Sequence, residues 1–167
     1  FRNCLPGDFL LKDNAMVVTK TLRAASGWLD LGLADEALFE LQSLPTSEQT
    51  SRQVLEIKVH AQMECRSWNA ASETARLLCV KEPLNSEIFL RAAFCLHETG
   101  DTLAARNWLL RGPKSLIELP AFHYNLGCYL WVLGERASAR SHLQTAFRLD
   151  DSLVDFARTD RDLTGFH

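Results

Sequence analysis

Apolar residues return every three or four positions through most of the chain, in blocks long enough for helices and separated by polar or glycine and proline punctuation. Val18, Leu22, Ala25 and Leu29 form one such stripe, which predicts a helix from about Ala15 to Leu31 capped by Asp13 or Asn14. Gly32 then permits a left-handed turn, and a second helix from Asp35 to about Leu44 stops at Pro45. The same rhythm predicts helices over 52–65 and 67–81, ended by Pro83, and over 86–99 and 102–111, closed by Gly112-Pro113 with Asp101 as a cap. Leu116 to Leu119 bridges to a last pair over 120–133 and 136–149, where Pro120 suits a first helical turn. Residues 1–13, with a Pro6-Gly7 turn signal and an apolar Phe9-Leu10-Leu11 patch, stand outside this rhythm, and Leu153, Phe156 and Ala157 extend it as a short carboxy-terminal helix.

The blocks also repeat. A stride of 34 residues aligns Ala37, Ala71, Ala105 and Ala139, then Ala25, Val59, Ala93 and Gly127, then Gly32, Arg66, Gly100 and Gly134, with no gap. Small residues in the first two columns let paired helices approach closely, and Val59 departs from this by replacing a small contact residue. Leu41, Leu109 and Leu143, with Trp28, Leu96 and Leu130, have the spacing of a layer that joins one pair to the next. The fourth copy, with Tyr124-Asn125-Leu126-Gly127, Gly134, Ala139, Leu143 and Ala146, carries the fullest pattern.

In spacing and residue type these columns resemble the tetratricopeptide repeat, a helical hairpin that buries its apolar faces only by stacking on its neighbours. The resemblance covers about residues 18–151. It implies an all-α fold, a right-handed α-solenoid of four hairpins (about 18–51, 52–85, 86–119 and 120–151, within 14–151), with an amino-terminal segment 1–13 and a carboxy-terminal capping segment 152–167. Arg66 departs from the pattern: a left-handed angle there costs an L residue roughly 1 kcal/mol, so this turn is expected to differ from its siblings.

Composition narrows the function classes. With 47% apolar and 23% charged residues the chain reads as an ordinary globular domain, and a net charge of −3 with a pI near 6.0 gives no electrostatic footprint for nucleic acid. The five cysteines, Cys4, Cys65, Cys79, Cys95 and Cys128, are odd in number and lack zinc spacing, as free thiols of a reducing, cytoplasmic compartment would. No apolar run approaches the roughly 18 residues of a membrane span, and Phe1 opens no signal-peptide pattern. The chain begins without Met, as a trimmed protein does.

In the family that the columns resemble, the first helices of successive hairpins line a groove that holds a partner peptide. Carried over by column, that groove presents Leu22, Arg23, Ser26, Leu29 and Asp30, then Glu56, Ile57, His60, Met63 and Glu64. Leu90, Arg91, Phe94, His97 and Glu98 follow, and Tyr124, Asn125, Cys128, Trp131 and Val132 complete an apolar end. An exposed cluster of Phe94, Tyr124 and Trp131 would be a binding surface, whereas the bland alternative has this face covered by residues 1–11 or by a second copy in a homodimer. The Lys and Asn clamp by which some relatives hold chaperone tails is absent. Asp30, Glu64 and Glu98 instead form an acidic column, a solvated rim or a preference for a basic partner segment.

His60, Glu64 and His97 include residue types that bind metal, but on neighbouring helices they read as peptide contacts or solvated side chains. No nucleophile, phosphate loop or carboxylate pair has motif support, so neither catalysis nor a cofactor is expected. The chain therefore reads as a protein-binding adaptor or scaffold. The runner-up is a dedicated chaperone resembling those of type III secretion, and an enzyme working through a groove acid and histidine ranks below both.

Overall fold

The computed structural model describes residues 6–166, with side chains from Asn14 onward, and every regular element among them is helical. The order is α1 (Pro6–Asp30), α2 (Ala34–Gln42), α3 (Arg52–Glu64), α4 (Trp68–Lys81), α5 (Ser86–Glu98), α6 (Thr102–Leu109), α7 (Pro120–Val132), α8 (Arg136–Leu149) and α9 (Ser152–Ala157). Two 3-10 turns, Lys114–Glu118 and Arg161–Leu163, complete it. The chain divides inside α4 into two compact units, the first ending at Thr74 and the second starting at Ala75.

In the first unit α2 packs on both α1 and α3. Ala25, Ala34, Ala37, Leu41, Leu44, Val54 and Ala61 form its core, with Trp28, Leu29 and Ile57 packed against them. In the second unit α5 pairs with α6 and α7 with α8, and α7 also meets α5 and the 3-10 turn at Arg161–Leu163. The alanine column behaves as its spacing predicts: Ala37, Ala71, Ala105 and Ala139 are all fully buried. Where a glycine replaces alanine in the neighbouring column, the approach is closest. A Cβ on Gly127 would lie 2.6 Å from Leu143 Cγ and 3.3 Å from the Ala139 carbonyl oxygen.

The inter-helix turns close alike. Leu33 N–H donates to Trp28 O, Ser67 N–H to Gln62 O and Glu135 N–H to Leu130 O, each across five residues as in a Schellman motif. Such a closure requires a left-handed residue, and Gly32 (φ 73°), Arg66 (φ 54°) and Gly134 (φ 84°) supply it. Arg66 thus keeps the geometry of the glycines instead of departing from it. Its side chain is exposed, and the unfavourable angle is held by the two helices the turn joins. Asp101 caps α6 as expected, its Oδ1 accepting from Ala104 N–H at 2.9 Å.

The helix expected to start near Ala15 begins at Pro6 instead, because proline's fixed φ and missing N–H suit a first turn, and residues 13–14 lie within it as helix rather than as a cap. The idea that residues 1–11 lie in the groove falls partly outside the described residues. Residues 6–11 continue α1.

Candidate functional site

Helix α7 carries Phe122, Tyr124, Leu126, Cys128, Tyr129, Leu130 and Trp131 all buried, with apolar residues around its whole circumference. A helix of that kind needs cover on every side. One side is α8, where Gly127 meets Leu143. On another side lie α5 and α6, and the rest is covered by the chain's own carboxy-terminal segment, residues 158–166, lying along α7 and the adjoining end of α5.

Seating of that segment runs residue by residue. The Asp160 carboxylate accepts a hydrogen bond from Tyr124 Oη at 2.6 Å and the weaker one of Cys128 Sγ at 3.8 Å. Its second oxygen accepts from Asp162 N–H at 2.9 Å, an Asx turn that opens the 3-10 turn. Arg161 pairs with Glu98 of α5. Asp162 Oδ2 lies 2.9 Å from His97 Nε2, and His97 Nδ1 is 3.0 Å from Thr102 Oγ1, so the imidazole is held at both ends. Leu163 is buried. The indole Nε1–H of Trp131 donates to the Thr164 carbonyl at 3.2 Å, and the Phe166 ring meets that indole edge-on with centroids 5.2 Å apart. The Arg136 guanidinium lies over the indole, 3.7 Å from the ring centroid, while Arg140 stands 5.3 Å from both the Trp131 and Phe166 rings.

Electrostatics follow from burial beneath two carboxylates. Burial, then the Asp160 hydrogen bond, pushes the Tyr124 phenol far above its ordinary range. Burial, reinforced by Asp160 and Asp162, does the same to the Cys128 thiol. Tyr129 is raised chiefly by burial, and among the described residues its hydroxyl has no hydrogen-bond partner. Burial also raises Cys79 and Cys95 to about 11, which keeps both thiols protonated and weakly nucleophilic at neutral pH. Thr102, His97 and Asp162 place a hydroxyl, an imidazole and a carboxylate in line. Thr102 is buried at the start of α6, so this line anchors the tail instead of presenting a nucleophile.

Tyr124, Cys128 and Trp131 therefore do not line an open groove. Tyr124 and Trp131 are each only 5% exposed: Asp160 and Phe156 lie against the phenol, and Thr164, Phe166 and Arg136 against the indole. His97 is buried with them and Glu98 is engaged by Arg161, while Phe94 remains 36% exposed. Leu90, Arg91 and Asn125 are half-buried, and Val132 is exposed. Sequence reasoning missed Asp160, Arg161, Asp162, Leu163 and Phe166 because a polar run without helical period carries no packing signal. The all-round apolarity of α7 was the available clue.

In the first unit the corresponding face, between α1 and α3, has no such cover among the described residues. A shallow groove of about 490 Å³ runs there between Thr19, Leu22, Arg23 and Ser26 on α1 and Glu56 and Ile57 on α3. It continues past Leu29 and Asp30 to His60. His60 and Glu64 approach to 3.7 Å, both largely exposed, Arg23 is exposed, and Met63 is half-buried. Among the described residues no group of three or more His, Cys, Asp or Glu side chains is disposed to hold a metal, and no helix is long and apolar enough to cross a membrane.

No family model matches the chain, and no curated protein matches it. Solved structures do. The crystal structure of MamA superposes with a TM-score of 0.73 at 15% identity, over 89% of this chain and 86% of that one. MamA MSR-1 C2 gives 0.71 at 15%, over 79% and 76%, and the MamA RS-1 ArsTM double mutant 0.72 at 10%, over 80% and 75%. At such identities the likeness speaks for the fold, and MamA is a tetratricopeptide-repeat protein. With its 34-residue columns, left-handed inter-helix turns and these structural neighbours, the chain has the tetratricopeptide-repeat fold.

Proposed function

We infer that the chain is a non-catalytic protein-binding module, an adaptor or scaffold that holds an extended segment of a partner protein against its inner helices. One observation carries the reading: the α5/α7 face already grips an extended stretch of polypeptide through Tyr124, His97, Glu98 and Trp131. A face built that way has the chemistry to hold peptide. Its counterpart between α1 and α3 offers a partner an apolar floor in Leu22, Leu29 and Ile57, bordered by Arg23, Asp30 and Glu56. Mixed charges along that border favour a partner segment with both signs, and the apolar floor supplies the burial that side-chain pairing at a wet rim does not.

Ser26 lies in the floor where the two stretches of groove meet, so Ser26→Trp fills the groove without touching the core. Partners captured from the native lysate by the wild-type chain should be lost with Ser26→Trp at unchanged helicity by circular dichroism. Equal recovery by both proteins would remove the α1/α3 face from the reading.

A further inference from the structure

We propose that the α5/α7 face is a sequence-selective peptide site for a partner segment of the pattern acidic–basic–acidic–leucine–x–x–aromatic, with the chain's own Asp160–Phe166 as its resident occupant. This deepens the adaptor reading and rests on it for the existence of a partner; the chemistry of the site is drawn from the tail itself.

Each position of the pattern has its own reader. Tyr124 Oη and Cys128 Sγ serve the first acid, Glu98 the base, His97 the second acid, and a buried site the leucine. The aromatic packs on Trp131 and faces Phe147 at 6.4 Å, with Arg140 over its ring. Trp131 Nε1–H reads only a backbone carbonyl, so the residue at that position is free to vary. Most of these contacts are made by side chains of the face to side chains of the segment, and that is what separates selective recognition from generic capping.

The resident segment behaves as a tethered ligand. It follows α9, which meets α8 and rests Phe156 against Tyr124 but buries none of its residues; beyond it Arg158 and Thr159 are exposed and make their hydrogen bonds back to Asp155 and Phe156 of α9. Tethering gives it an effective concentration of the order of millimolar for a short flexible connection, against which any partner must compete. A partner carrying the pattern gains the site when its local concentration outweighs that advantage. The tail thereby sets a threshold for binding.

The test uses the full-length chain and a fluorescein-labelled peptide of residues 158–166, with fluorescence anisotropy as the readout. Replacing Asp160, Asp162 and Phe166 together by Ala weakens the resident tail while leaving every reader in place. The peptide should bind this variant at least tenfold more tightly than the native chain. A scrambled peptide should not bind, and adding His97→Ala should abolish the gain. Equal binding to both chains, or none to a variant of native helicity, would overturn the proposal.

Should the triple variant fail to fold, hydrogen exchange of the native chain decides. Tail amides, such as the Phe166 N–H bonded to Leu163 O, should exchange at least tenfold faster than those of α7. Exchange of tail and α7 together would make the tail permanent core and overturn the proposal. A concentration-dependent dimer of the native chain that free peptide dissolves would assign the site to a second copy's tail, and would likewise overturn the partner assignment. Failure of Ser26→Trp to release partners bears on the first unit alone and leaves these outcomes unaffected.

Discussion

Gly127→Ala places two effects of known sign against each other. Glycine inside a helix costs about 1 kcal/mol relative to alanine, so on helix propensity alone the substitution should stabilise. Against it stands the packing of α7 on α8. The new methyl would sit 2.6 Å from Leu143 Cγ and 2.9 Å from Cδ2, distances that real Cβ atoms essentially never show. Relief by rotating Leu143 is poor, because the closest atom is its branch point and the residue is fully buried. Backing away is limited by the Ala139 carbonyl at 3.3 Å. Overpacking of this kind costs about 1–3 kcal/mol, so the net expectation is a loss of up to about 2 kcal/mol.

Urea unfolding followed by circular dichroism measures it, and a double-mutant cycle identifies the cause. Leu143→Ala alone should cost about 2–5 kcal/mol, since it empties a filled site. In that background Gly127→Ala should change sign and recover about 1 kcal/mol, the propensity term without the clash. A gain of about 1 kcal/mol in the wild-type background would show that the two helices are not in contact here and would refute the close approach.

Three further outcomes are expected. Arg66→Gly should raise stability by up to about 1 kcal/mol, because φ 54° strains an L residue and the Ser67 to Gln62 closure remains; an unchanged or lower urea midpoint would contradict the left-handed angle. His142, whose Nδ1 lies 3.0 Å from Nδ1 of His123, has its pKa lowered by burial and then by that neighbour. The unfolded chain thus takes up the proton first, so stability is fully present above about pH 6.5 and lost as pH falls through the folded value; His142→Gln should flatten that slope between pH 7 and 5 in urea titrations. Trp131→Ala should cost about 3–5 kcal/mol as a buried aromatic and release the tail, measured as a lower midpoint with faster exchange at Phe166; native stability would place Trp131 back on an open face.

Local chemistry made the helices legible. Pro120, Pro45 and Asp101 mark helix ends through backbone constraints that act within a few residues, and observed boundaries follow them closely. The 34-residue columns placed Ala37, Ala71, Ala105 and Ala139 in buried sites because close helix pairing excludes anything larger. The column argument also drew together His97, Glu98, Tyr124, Cys128 and Trp131, because a column carries position along a helix. What a column cannot carry is which side of that helix is wet. That depended on where residues 158–166 go, a matter of contacts such as Tyr124 to Asp160 and His97 to Asp162 spanning 36 and 65 residues. Hydrophobic period reports burial against elements that share the period, and an irregular polar tail has none. Its docking is decided by hydrogen bonds, the Arg161–Glu98 pair, buried Leu163 and the Phe166 ring, which converge only once α5, α7 and α9 are folded.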